Sequence, residues 1–246
     1  MKFRTLTCAL LALAAVSALH AETADNVAQA NQEYQAEHFP EAAALYQKAI
    51  DAGTRNAAVF YDLGNAWFRA GDAGQAILNY ERALALRPQH PEARANLHVA
   101  RDKARALELR PQWWDEFIAR ITPNQFSIAA ASVFWVLAFA VAAWLFAPRR
   151  APLLLALALL SALVLGSLVA GLYALETGNN GRDLAIVIAA KTEARVATAD
   201  SAGSVLVLPP GSEIRILSTR GDWIYAALPN DLRGWLPALS AQRVRL

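Results

Sequence analysis

The sequence predicts a multidomain membrane protein: an all-α solenoid of helical repeats, a two-helix transmembrane hairpin and a small all-β barrel. Three observations predict it. Two runs lack any charged residue, Ile121 to Pro148 and Ala151 to Leu175, and they are separated only by Arg149 and Arg150. The chain before them is Ala-rich and repeats a helical pattern. Beyond them the apolar periodicity shifts from helical to alternating, between Gly, Pro, Asn and Asp breaks.

The chain begins with residues 1–21, which have a basic start (Lys2, Arg4), an apolar stretch from Leu6 to Leu19 and the small residue Ala21. That is the pattern of a secretory signal peptide. Two outcomes are compatible with it: cleavage after Ala21, or retention as an anchor. Either outcome exports the segment beginning at Glu22. Cys8 is the sole cysteine, so a cleaved chain has no disulfide and no thiolate metal site. The formal charge of +2 falls to about zero without Lys2 and Arg4, which argues against nucleic acid as a partner.

Residues 22–110 form the helical part. "FYDLGNAWFRAGDAGQAILNYERALALRP", Phe60 to Pro88, carries Leu63-Gly64, Trp67, Ala76, Tyr80, Ala83 and Pro88. A 34-residue step back from Ala76, Tyr80 and Ala83 reaches Ala42, Tyr46 and Ala49, and Gly64 and Asn65 map onto Ala30 and Asn31. Antiparallel helices pack closely where one presents a small residue, here Gly64 or Ala30. Gly53 and Gly71 suit helix C-termini, and Pro88 stops a helix. These spacings resemble the tetratricopeptide (TPR) repeat, with two repeats and a capping helix from Pro91 to about Leu109. A TPR stack lines its concave surface with the first helix of each pair. The resemblance therefore implies a peptide groove at Asn31, Tyr34, Asn65, Phe68, Arg69 and Lys103. An aromatic floor with two cations suits an extended peptide or a carboxylate. Two readings of Asn31 and Asn65 stand side by side: hydrogen bonds to a ligand backbone, or bonds to neighbouring groups of the fold.

Residues 111–125, "PQWWDEFIARITPNQ", put Trp114, Phe117, Ile118 and Ile121 on one helical face. With Trp113 they make an amphipathic juxtamembrane anchor at the depth where Trp prefers to sit. Residues 126–147 and 151–175 are each long enough for a span, which needs about 20 apolar residues. The turn at 148–150 is too short for anything but a hairpin. Its Arg149 and Arg150 hold the tip in the cytoplasm, because Arg- and Lys-rich loops stay there. Both soluble parts then lie outside the cytoplasm. Small residues four apart, Ala138/Ala142, Gly166/Ala170 and Ser167/Gly171, mark the expected seam between the spans.

Residues 176–182 read as a Gly/Asn linker, and 183–246 as six short strands: DLAIVIAA, EARVAT, SVLVLP, SEIRILS, DWIYAAL and RGWLP. The Gly-Asp-Trp and Gly-Trp-Leu-Pro landmarks resemble the bacterial SH3-like domain, with Trp223 and Trp235 expected in the barrel core. No catalytic pattern appears: the histidines lack ligand spacing, and there is no phosphate loop or nucleophile elbow. No enzyme activity, metal or cofactor is expected.

As a whole, with "WWDEFIARITPNQF" before the first span among its more specific parts, the chain resembles the BatE-like members of the Bacteroides aerotolerance (Bat) operon family. The resemblance implies an inner-membrane protein with both soluble domains in the periplasm. It further implies partners among membrane-anchored von Willebrand A-domain proteins and, indirectly, a MoxR-type AAA+ ATPase, in stress or oxygen tolerance. The rival expectation is a peptidoglycan-binding module acting through the SH3-like domain.

Overall fold

The computed structural model describes residues 25–110, 123–146, 152–177 and 183–245. The residues expected to form a signal peptide (1–21), a membrane anchor (Trp113, Trp114 and Phe117) and a hairpin tip (Arg149 and Arg150) lie outside the described residues. The chain divides into two compact units. One joins the helical stack to the β-sheet, residues 1–108 with 185–244, and the other holds the apolar helices.

The stack has five helices: α1 (25–35), α2 (Phe39–Asp51), α3 (Ala57–Ala70), α4 (Ala73–Leu86) and α5 (Pro91–Ala104). The starts of α3, α4 and α5 each have a local cause. Asn56 and Asp72 accept the backbone N–H groups of Val59 and Gln75, capping α3 and α4. His90 caps α5 through Nδ1, 34 residues after Asn56, and Pro91 is the first residue of that helix. Gly71 ends α3 in the left-handed region at φ 89°, where a Cβ would be strained. α4 stops at Leu86, two residues before Pro88.

Packing agrees with the expected small residues. Ala42, Ala43, Tyr46, Ala49 and Ile50 make one buried face of α2. A Cβ on Gly64 would sit 2.7 Å from two carbons of the fully buried Tyr80 ring. Helix α3 can lie this close to α4 only because residue 64 has no side chain.

The C-terminal part is a sheet of seven strands, one more than the sequence suggested: β1 (Leu184–Val187), β2 (Thr192–Arg195), β3 (Ser204–Leu208), β4 (Glu213–Arg220), β5 (Trp223–Ala227), β6 (Arg233–Pro237) and β7 (Ala241–Arg243). The extra strand is three residues long and mostly polar, too short for a periodic signal. The order is β3-β2-β6-β5-β4-β1-β7, with antiparallel ladders between β1 and β7, β2 and β3, β2 and β6, β4 and β5, and β5 and β6. Ile214, Ile224, Ala226, Leu228 and Leu236 fill its core.

The expectation for Trp223 and Trp235 is corrected. Ile224 pairs with Leu236 and Ala226 with Gly234 on the buried face. Strand alternation therefore turns Trp223, Tyr225 and Trp235 to the opposite face, where each is half-buried. A Cβ on Gly234 would sit 3.0 Å from Ala194 Cβ of β2, so the close approach of β2 and β6 leaves that inner layer to small and aliphatic residues.

Stack and sheet are in direct contact within one unit, although residues 109–184 separate them in the chain. Leu107 packs against the sheet core, its carbonyl accepts Glu213 N–H at 2.8 Å, and its N–H donates to Ser212 Oγ at 3.1 Å. Arg82 Nη2 donates to the Arg243 carbonyl at 3.1 Å. Burial and the Arg55 charge bring the Arg82 pKa down to about 10.

In the second unit, α6 (Pro123–Phe146) packs along α7 (Pro152–Thr177). Both are long and apolar enough to cross a membrane, with mean hydropathies of 2.2 and 2.7, and only 6% and 11% of their apolar windows are buried. A core helix of a water-soluble protein would be covered. The buried positions are Ala140, Ala158 and Ser161. This shifts the expected seam: Gly166, Ser167, Ala170 and Ala142 are exposed, and Ser167 Oγ bonds back to the Leu163 carbonyl. Of the expected small residues, Gly171 does meet the other helix, with Phe126 Cε1 2.9 Å from where its Cβ would be. Small residues recur so often in these helices that spacing alone could not choose the face.

Candidate groove of the helical stack

Three helices, α1, α3 and α5, carry the residues proposed for the groove. Tyr34, Asn65, Phe68 and Arg69 line one cavity of about 160 Å³ with Tyr80, Asn96 and Val99. Sequence reasoning missed Asn96 and Val99. Val99 occupies the position 34 residues after Asn65, so the repeat step was the signal that could have found it.

The two asparagines have the same inward bond. Tyr46 Oη donates to Asn31 Oδ1 at 2.5 Å, and Tyr80 Oη donates to Asn65 Oδ1 at 2.9 Å. Asn65 Oδ1 also accepts from Asn96 Nδ2 at 2.9 Å, and the same amide reaches Tyr61 Oη at 3.2 Å. A carbonyl oxygen has two lone pairs, so Asn65 Oδ1 is fully used. Its Nδ2 is left as the donor for the groove. Burial drives the phenol pKa values of Tyr46 and Tyr80 well above the ordinary range, so both remain donors.

The cations rest on rings. Arg69 lies 4.4 Å over Phe39 and has Glu37 at 3.9 Å, with half of its side chain exposed. Lys103 Nζ lies 4.8 Å over the Phe68 ring. Asp62 is the carboxylate of α3. Burial raises its pKa, and His90 partly offsets this. Asn31 is exposed and does not line the cavity.

Among known families, residues 57–90 match the tetratricopeptide repeat. The chain carries a tetratricopeptide repeat. The matched stretch runs through α3 and α4 and includes Asn65, Phe68, Arg69 and Tyr80. The chain matches no curated protein at a significant level. TPR repeats generally serve protein–protein interaction, and four residues of that repeat line the cavity.

α5 is the last helix of the stack, and Arg101 holds its outer side. The guanidinium pairs with Glu81 of α4 at 2.6 Å, with Glu108 at 3.3 Å and with Glu213 of β4. Burial would lower the Arg101 pKa, but the three carboxylates outweigh it and the net direction is up. Glu81 is raised by burial, with Arg101 pulling the other way. Asn96 and Val99, on the same helix, supply one wall of the cavity, and Lys103 lies over the Phe68 ring without lining it. The sheet domain thus braces a helix that lines the candidate site.

Proposed function

We propose that the chain is a non-enzymatic scaffold of the bacterial inner membrane that holds an extended segment of a protein partner in its TPR groove. The observation that carries this reading is the cavity that the matched repeat lines with Asn65, Phe68, Arg69 and Tyr80, beside Tyr34 of α1 and Asn96 and Val99 of α5. Asn65 Nδ2 suits a backbone carbonyl, and the Tyr34, Phe68 and Val99 surfaces suit an apolar side chain.

A topological argument supports an envelope location. The stack precedes the two apolar helices and the sheet comes after them, yet stack and sheet share buried bonds in one unit. If the helices cross a bilayer, both soluble parts lie on one side. The Arg149–Arg150 tip then favours the periplasm for both. The Bat-like pattern points to membrane-anchored von Willebrand A-domain proteins as partners, with a MoxR-type ATPase acting through them. The rival reading, peptidoglycan binding by the SH3-like part, has one observation in its favour. A cleft of about 470 Å³ in the sheet domain offers Lys191 and Arg195 beside Glu193 and Asp200.

The test is photo-crosslinking in living cells from Val99 in the groove, with Glu41 as an exposed control. A membrane-protein adduct specific to Val99 supports the groove. Equal adducts from both positions, or none, remove it. Reporter fusions after Arg110 and at Leu246 should read periplasmic, and one at Arg150 cytoplasmic.

A further inference from the structure

We propose that the outer face of β4, β5 and β6 is a lipid-binding surface that rests on anionic phospholipid headgroups. The register puts its residues together. Trp223 faces Pro237 and Arg220, Tyr225 faces Trp235 and Ser218, and Ala227 faces Arg233 and Arg215. Arg195 of β2 faces Trp235. Directly opposed residues share a face. Three aromatic side chains therefore form a strip with arginines on both flanks, and the Tyr225 and Trp235 rings touch at 5.0 Å.

Glu213, which alternates with Arg215 along β4, is committed to Arg101, and the remaining charges on β4, β5 and β6 of this face are cationic. Arg220 and Arg233 are exposed and form no ion pair among the described residues. Arg215 Nε is buried without a partner. Arg195 is committed, bonding the Asp200 and Ala202 carbonyls and Glu193 at 3.3 Å. Glu193 is the carboxylate of the β2 edge, and Lys191 also approaches it at 3.9 Å. Asp222 sits in the β4–β5 turn. The middle of the face has no carboxylate.

Half-buried Trp and Tyr beside free arginines fit an interface that is apolar on one side and anionic on the other. A soluble polyanion would use the arginines but not the aromatic strip. Chain connectivity favours lipid. Only residues 178–183 separate α7 from β1, a reach of at most roughly 20 Å. If α7 lies in a bilayer, the sheet domain is confined beside headgroups, where nearby arginines are attracted to anionic lipid. This inference rests on the membrane part of the proposed reading and is independent of the groove.

The test uses the full chain in nanodiscs, with Cys8→Ser and Ser218→Cys carrying an environment-sensitive NBD dye. Co-elution with the discs tests the membrane reading by itself. In discs with about one-third phosphatidylglycerol, the dye should shift to the blue and brighten about twofold relative to pure phosphatidylcholine discs. Arg220→Glu with Arg233→Glu should return it to the phosphatidylcholine level while the circular dichroism stays unchanged. An equal dye signal in both discs overturns the proposal. So does a response to soluble polyglutamate in detergent that matches the anionic discs, which would make the face a site for acidic proteins. Failure to co-elute overturns the membrane reading and this inference with it.

Discussion

Tyr80 donates its phenolic hydrogen to Asn65 across 2.9 Å, and Tyr46 gives its own to Asn31, each pair 15 residues apart in sequence. The repeat thus couples a first-helix amide to the tyrosine of the next helix. The groove asparagine and the buried core are one network, so a variant that removes the amide tests folding and binding at once.

Asn65→Asp separates the two. The aspartate keeps an acceptor for Tyr80 and Asn96 but loses Nδ2. Partner capture should fall at least about tenfold while the melting temperature changes little. Asn65→Ala should lose capture and also stability, by about 1–3 kcal/mol, because the Tyr80 hydroxyl is left buried without its acceptor. Thermal melts alongside capture assays check both. Equal melting of the two variants would contradict the network.

Much of this site was legible in the sequence, because the 34-residue step fixes which residues share a position. It exposed Asn31, Asn65, Arg69 and Lys103 together. It could not reveal that Oδ1 of each asparagine turns inward, since bond direction depends on packing between helices. Asn96 breaks the step: it takes the place that Asp62 has in the previous repeat, so repetition concealed it. In the sheet, alternation was visible but its phase was not. The SH3-like landmarks implied Trp223 and Trp235 in the core, whereas the register with Ile224 and Leu236 puts them on the opposite face. The Arg101–Glu213 pair joins residues 112 apart, a distance at which local pattern carries no information.

Gly64→Ala should destabilise the stack by about 1–3 kcal/mol. The added methyl would meet Tyr80 Cδ1 and Cε1 at 2.7 Å, and the Ala76 carbonyl lies at 3.3 Å. The ring is fully buried and tethered at its hydroxyl, so it has little room to move away. Gly64→Ala with Tyr80→Phe should lose less than the sum of the single changes, because the phenyl ring is freed from Asn65. Strict additivity in denaturant melts would show that the ring is not the obstacle.

The hairpin seam predicts a ranking. Ala158→Leu should separate α6 from α7 more than Gly166→Leu, because Ala158 is 8% exposed and Gly166 has open space around it. Disulfide formation between cysteines at Ala140 and Ser161 reports the separation. Equal yields in the two leucine variants would place the contact elsewhere.

The brace between stack and sheet should respond to pH. Glu81 carries a raised pKa because burial disfavours its charge, although Arg101 opposes the shift. Its ordinary value is 4.5. A carboxyl group with a raised value in the folded state binds protons more readily there than in the unfolded chain. Its contribution to folding stability is therefore complete below pH 4.5 and is lost as pH rises through the raised value. The unit that holds stack and sheet should lose stability from acid toward neutral pH and then level off. The Glu213 amide, bonded to the Leu107 carbonyl at 2.8 Å, reports this opening through its hydrogen exchange, once corrected for the intrinsic rate. Glu81→Gln should flatten the profile, since the neutral amide has nothing to titrate. Arg101→Ala should do the reverse: it leaves Glu81 and Glu213 without their cation, at a cost of about 3–5 kcal/mol at neutral pH that acid partly restores. Because Asn96 and Val99 sit on the helix that Arg101 holds, partner capture should weaken in that variant as well. If exchange at Glu213 accelerates and capture stays at the wild-type level, the brace stabilises the fold without shaping the groove.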